Sequence, residues 1–150
     1  QEGGPSRDPR DDGGLTRFGI SSRSYPMLDI AALTQEQAVA IYRRDYWDRY
    51  HLDGLPSALG LATFDAVVNQ GGRAVRWLQQ ALGGLDVDGI IGAKTQARAA
   101  QEPLLPILQE FLARRGMHYM LDDDEDRRAF GLGWMRRLFD VYEAARSLSI

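Results

Sequence analysis

The sequence predicts a mainly α-helical fold with at most a small β-ribbon near the N-terminus. Two observations carry that reading. Beyond residue 33, apolar residues recur at three- and four-residue spacing instead of alternating. Before it, Gly3, Gly4, Pro5, Pro9, Gly13, Gly14, Gly19 and Pro26 punctuate the chain too densely for a long helix. Within that glycine-rich part, only Arg17–Ser21 reads as extended, half of a small hairpin.

The helices follow in order. Thr34 and Gln37 form a capping box, and Ala38, Ile41, Tyr42 and Asp45/Tyr46 continue at helical spacing, ending before His51–Pro56. Ser57 is placed to cap a second helix running to about Asn69, with Leu61, Phe64, Val67 and Val68 buried at the centre of the core. A third, about 72–82, carries Val75, Leu78 and Leu82 and stops at Gly83-Gly84. Asp86–Gly92 reads as a tight loop before a short helix over 93–101. Pro106 suits the first turn of the next helix, which carries Ile107, Leu108, Phe111, Leu112 and Arg115. A last helix, about 132–147, offers Trp134, Leu138, Val141, Tyr142 and Ala145.

Composition narrows the function classes. With 44% apolar and 26% charged residues, the 150-residue chain has ordinary globular usage and enough length for a self-sufficient core. It contains no cysteine, so disulfides, thiolate metal sites and cysteine nucleophiles are excluded. Eighteen basic against 21 acidic residues give a net charge of −3, spread evenly along the chain, which argues against a nucleic-acid partner. No stretch approaches the roughly 20 apolar residues of a membrane helix, so no membrane anchor is expected in this chain.

The chemistry concentrates in the first 20 residues. Glu2-Gly3-Gly4, then Asp8, Asp11 and Asp12, then Gly13-Gly14-Leu15-Thr16-Arg17-Phe18-Gly19-Ile20 combine carboxylates, glycine pairs and one threonine with few apolar side chains. Glycines permit close backbone approach, which suits the wall of a substrate cleft; the same composition also describes an acidic terminal loop.

This segment resembles the signature of glycoside hydrolase family 108 muramidases, E-G-G, then an N/D-D-P-x-D piece, then G-G-x-T-x-[FY]-G-I. The similarity continues through Ile41-Tyr42-Arg43-Arg44-Asp45-Tyr46-Trp47, Phe64-Asp65-x3-Asn69-x-Gly71, Leu78-Gln79-x-Ala81-Leu82, Asp88-Gly89-Ile90-Ile91-Gly92-x2-Thr95 and Gly133-Trp134-x2-Arg137. It is also similar to the Glu, Asp, Thr triad of phage-type lysozymes, here Glu2-x8-Asp11-x4-Thr16, one residue shorter before the threonine. The resemblance implies a lysozyme-like helical fold, with residues 1–70 as the catalytic region and 71–150 as a peptidoglycan-binding helical region packed on it. It implies bacterial peptidoglycan as the partner, and the β-1,4 bond between N-acetylmuramic acid and N-acetylglucosamine as the one cleaved.

The same resemblance makes Glu2 the general acid. Asp11 is the choice for the second carboxylate, with Asp8 and Asp12 as competitors, and Thr16 would position a water. A threonine that orients water favours inversion over a covalent intermediate. Trp47 and Tyr46 are substrate-binding candidates as flat faces for a sugar ring, or else ordinary helix anchors. Asn69, with Gln70 beside it, would bind an N-acetyl group or cap its helix.

Other features are assigned no chemistry. Asp86-x-Asp88-Gly89 lacks the terminal bidentate glutamate of a calcium loop and reads as a turn before a helix. His51 and His118 stand alone, so no metal or other cofactor is expected. The run Asp122–Asp126 reads as a solvated loop and helix start, and Trp77 and Trp134 as core.

The sequence opens on Gln1, whereas the family places a helix before E-G-G, so the chain is expected to belong to a longer product. The competing reading is a non-catalytic peptidoglycan-binding module. A monomer is expected, acting in the periplasm or extracellular wall and reached through a holin or a secretion system.

Overall fold

The computed structural model describes residues 15–121 and 124–148. They divide between two compact units, Gln1–Asp45 and Tyr46–Ile150.

In the first unit, β1 (Thr16–Arg17) and β2 (Ile20–Ser21) form a small antiparallel ribbon, with Thr16 opposite Ser21 and Arg17 opposite Ile20, so the segment expected as one extended half of a hairpin holds its turn and parts of both strands. The two-residue turn between them has both residues in the left-handed region, Phe18 at φ 51° and Gly19 at φ 76°. That conformation matches the right-handed twist of a hairpin, and glycine adopts it without a Cβ penalty. Space makes the same demand, because a Cβ on Gly19 would lie 2.6 Å from the Tyr42 hydroxyl. Tyr42 uses that hydroxyl to donate to the Phe18 carbonyl at 3.0 Å. Ile20, Ile30, Leu33 and Ala38 form the small core of this unit.

Helix α1 (Gln35–Tyr42) opens on the predicted capping box. Gln37 N donates to Thr34 Oγ1 at 3.2 Å, and Thr34 N donates to Gln37 Oε1 at 2.9 Å. The helix then departs from expectation, widening into a π-helical stretch over Arg43–Asp48. The spacing of apolar residues alone cannot separate the two hydrogen-bond patterns over so short a run.

In the second unit, a 3₁₀ turn (Leu52–Gly54) leads to α2 (Ser57–Gln70), α3 (Arg73–Leu82), α4 (Ala93–Gln101), α5 (Leu104–Met120) and α6 (Asp124–Ser147). Helix α2 is central, packing against α3, α5 and α6. Two details of α2 correct the sequence reading. Pro56, not Ser57, stands at the N-cap: its carbonyl accepts from Gly60 N at 2.9 Å, and Ser57 is already helical with no capping bond. The buried side chains are Ala58, Leu59, Ala62, Thr63, Ala66 and Val67, while Leu61, Phe64 and Val68 are half-buried. Small residues on the fully enclosed face let neighbouring helices approach closely, and the larger ones fill the flanks. Helix α6 begins eight residues earlier than its apolar pattern suggested, within the acidic run, where carboxylates complement a helix N-terminus.

The loop before α4 is organised by one buried amide. Gln79 on α3 is 2% exposed, donates to Asp88 Oδ1 at 2.7 Å and Ile90 O at 3.1 Å, and accepts from Gly89 N at 2.8 Å. Asp88 Oδ1 also accepts from Ile90 N at 2.8 Å, and Gly89 has φ 82°, so the Asp-Gly pair makes a fixed turn. The hydrogen bond from Gln79, followed by that from Ile90 N, holds the Asp88 carboxyl below its usual range.

Gln79→Ala should lower the unfolding free energy by about 2–4 kcal/mol, since it strands the loop's polar groups as well as leaving a cavity. Urea denaturation measures this. Because the folded-state pKa of Asp88 is lowered, its stabilisation is complete above the usual carboxylate range and disappears as pH falls through the folded value. Asp88→Asn should therefore flatten the acid limb of the stability–pH curve, read from denaturation midpoints between about pH 2 and 5.

Candidate active site and its cationic cavity

The polar centre of the second unit is built on α2. Its residue Asp65 lies one turn before Asn69 and faces cations from two other helices. Arg115 of α5 donates through Nη1 to Asp65 Oδ2 at 2.6 Å; Arg137 of α6 donates through Nε and Nη2 to Asp65 Oδ1 at 2.9 and 2.5 Å. The Arg115 side chain is 0% exposed. A buried guanidinium needs acceptors for its donors. Arg115 finds them in Asp65, in Gln70 Oε1 at 2.9 Å from Nε, and in the Tyr119 hydroxyl at 3.2 Å from Nη2.

Above this network lies a cavity of about 540 Å³, lined by Asn69, Gln70, Arg73, His118, Tyr119, Gly133, Trp134 and Arg137. Gly71, at φ 68°, ends α2 and sends its N–H to Val67 O at 2.9 Å. This reversal is what sets Arg73, at the start of α3, beside Asn69 and Gln70 at the end of α2. Asn69 Nδ2 donates to Asp65 O at 2.7 Å, one turn back, so this amide both braces its helix end and lines the cavity. Aromatic rings run along one side, His118 to Tyr119 at 6.4 Å and Tyr119 stacked on Trp134 at 4.8 Å and 16°, with Trp77 outside the lining and 5.1 Å from His118. Trp134, expected as core, is half-buried on the cavity wall.

The candidate residues distribute unevenly. Asn69 and Gln70 meet at the cavity. Tyr46 and Trp47 do not line it: Tyr46 packs on the core of the second unit, and Trp47 donates from Nε1 to Asp53 Oδ1 at 2.7 Å with its ring 5.7 Å from Phe64. Thr16 is half-buried in β1 of the first unit. Glu2 and Asp11, with Asp8 and Asp12, lie outside the described residues. Sequence reasoning passed over Arg73, Arg115 and Arg137 as cavity-building residues. Two signals were present: Arg137 closes the Gly133-Trp134-x2-Arg137 motif, and Arg115 occupies a core-facing position of an apolar helix.

Comparisons with known proteins agree with this architecture. The family model "Glycosyl hydrolase 108" matches residues 1–71, and the model "Predicted Peptidoglycan domain" matches residues 73–139. The structure of Brucella abortus SagA superposes with a TM-score of 0.85 at 34% sequence identity, over 99% of this chain and 88% of that one. No curated protein matches the sequence significantly. Fold and family models together define a peptidoglycan hydrolase of the glycoside hydrolase class, built on a lysozyme-like helical fold. The chain belongs to the glycosyl hydrolase 108 family.

Asp65→Ala should cost about 3–5 kcal/mol, because it leaves the fully buried Arg115 without its counter-charge. Chemical denaturation gives the value, and a change below about 1 kcal/mol would mean that the pair does not organise these helices.

Proposed function

We propose that this protein is an endo-acting N-acetylmuramidase that hydrolyses the β-1,4 bond between N-acetylmuramic acid and N-acetylglucosamine. The observation that carries the reading is the glycosyl hydrolase 108 match over residues 1–71, the stretch that contains Glu2, Asp11 and Thr16. On this reading residues 1–70 carry the chemistry and residues 71–150 hold the wall polymer.

Glycoside hydrolysis requires a proton on the departing oxygen and a group that manages charge at the anomeric carbon. Glu2 donates its proton to the glycosidic oxygen as the C1–O bond breaks. A water held by Thr16 forms the new C1–O bond and gives its proton to Asp11. Return of one proton to Glu2 and loss of one from Asp11 restore the resting state. Because the water adds opposite the leaving group, the anomeric configuration inverts, which needs carboxyl groups about 6.5–9.5 Å apart. To hold its proton near neutral pH, Glu2 needs a partly desolvated site. The enzyme acts as a monomer on the periplasmic or extracellular wall, reached through a holin or a secretion system.

Glu2→Gln should lower the release of reducing ends from purified peptidoglycan by about 10²–10⁴-fold while leaving sedimentation with the insoluble wall intact. Mass analysis should place N-acetylmuramic acid at the new reducing ends. Equal clearing by the parent and the variant would remove Glu2 from the mechanism. Binding without clearing by the parent would establish the non-catalytic module instead.

A further inference from the structure

The charge around the cavity is unusual for a glycan-binding surface. Arg73 is the first residue of α3, where the helix dipole is positive and an acidic side chain is the favourable choice. The first turn of α3 contains no acidic residue, so the cation and the helix end add rather than cancel. Arg73 Nη1 lies 3.3 Å from His118 Nε2, a neutral neighbour or another cation but never a counter-charge. Asp65, whose partner Arg137 lines the cavity, is already shared by Arg115 and Arg137. Gln70 brings no negative charge: its Oε1 accepts from Arg115, and its Nε2 is buried with no hydrogen-bond partner among the described residues. No acidic side chain lines the cavity among those residues. Beside these donors, Trp134 and Tyr119 present a stacked aromatic wall.

Neutral sugar hydroxyls do not call for such a field, whereas a carboxylate on a partly apolar chain does. Peptidoglycan offers one in the stem peptide attached to the lactyl group of N-acetylmuramic acid. We propose that the cavity binds a carboxylate of the stem peptide, with Arg73 as the principal cation and Trp134 as the packing face for the peptide's apolar part. Its volume of about 540 Å³ suits a few peptide residues and exceeds what a lone carboxylate needs. The enzyme would then prefer peptide-bearing glycan to stripped strands. This inference rests on the muramidase reading above.

The test compares two soluble substrates, glycan bearing stem peptides and glycan stripped by an amidase, with reducing-end release measured against concentration. For Arg73→Glu, KM on peptide-bearing glycan should rise at least tenfold with kcat within about twofold, and by far more than KM on stripped glycan. Arg73→Lys should recover most of the loss, since it restores the charge, and circular dichroism should show both variants folded. An equal rise on both substrates would put the contact on the sugar backbone that the two share and overturn the peptide assignment. No change on either would overturn the site itself. If the parent cleaves neither substrate, the muramidase reading fails separately. The cavity is then tested by titrating a free stem tetrapeptide into the parent and following tryptophan fluorescence. Saturable binding lost in Arg73→Glu sustains the site, and no binding overturns it.

Discussion

Arg115 is a guanidinium with no access to water, and the second unit is arranged around meeting its needs. Its donors require acceptors within reach, and these come from α2, as Asp65 and Gln70, and from its own helix, as Tyr119. Asp65 in turn reaches α6 through Arg137. One carboxylate thus ties three helices at a single register. Buried ion pairs contribute little net stability compared with a well-packed apolar substitute, because desolvation offsets the attraction. Their value lies in geometry: a slip of α5 or α6 by one residue would leave a buried cation without a partner.

That constraint also shapes the cavity wall. Holding Gln70 by its carbonyl oxygen fixes which way the amide turns, and holding Tyr119 by its hydroxyl fixes the ring on which Trp134 stacks. The cavity wall is therefore rigid where a ligand would meet it, which lowers the ordering cost of binding. Gln79 performs the same service with a neutral group, closing the Asp86–Gly92 loop onto α3. Arg98 completes that region by reaching from α4 to the carbonyls of Leu82 and Gly83 at the end of α3, both at 3.3 Å. In the first unit the constraint is steric, since Gly19 leaves room for the Tyr42 hydroxyl that braces the hairpin turn.

The cationic, aromatic-walled cavity takes Asn69 and Gln70 from the stretch matched by the glycosyl hydrolase model and its other lining residues from the stretch matched by the peptidoglycan domain. Glycan recognition and carboxylate recognition call for different surfaces, flat rings for one and paired donors for the other. Both kinds of group occur around this cavity, on helices that also make the core of their unit. The network of Asp65, Arg115 and Arg137 that ties the helices therefore also braces the cavity wall, through Arg137, Gln70 and Tyr119.

The sequence by itself determined what is local. The capping box at Thr34, the hairpin near Arg17–Ser21, the stop at Gly83-Gly84 and the Asp-Gly turn before α4 each depend on interactions between residues close in the chain. Helix existence was legible from apolar spacing, and the family from motifs retained in order. Tertiary structure decided the rest, for reasons that spacing cannot encode. Which face of α2 is buried depends on how closely α3, α5 and α6 approach, so the alanines went inside and Phe64 to a flank. The π-helical stretch after Tyr42 keeps a helix-like pattern while changing its hydrogen bonds. Asn69 and Gln70 were candidates from their place at the end of an apolar helix, and the fold gave them a cavity. Asp65, Arg115 and Arg137 became one network because three helices converge. Charge pairing across 50 and 72 residues is a property of that convergence.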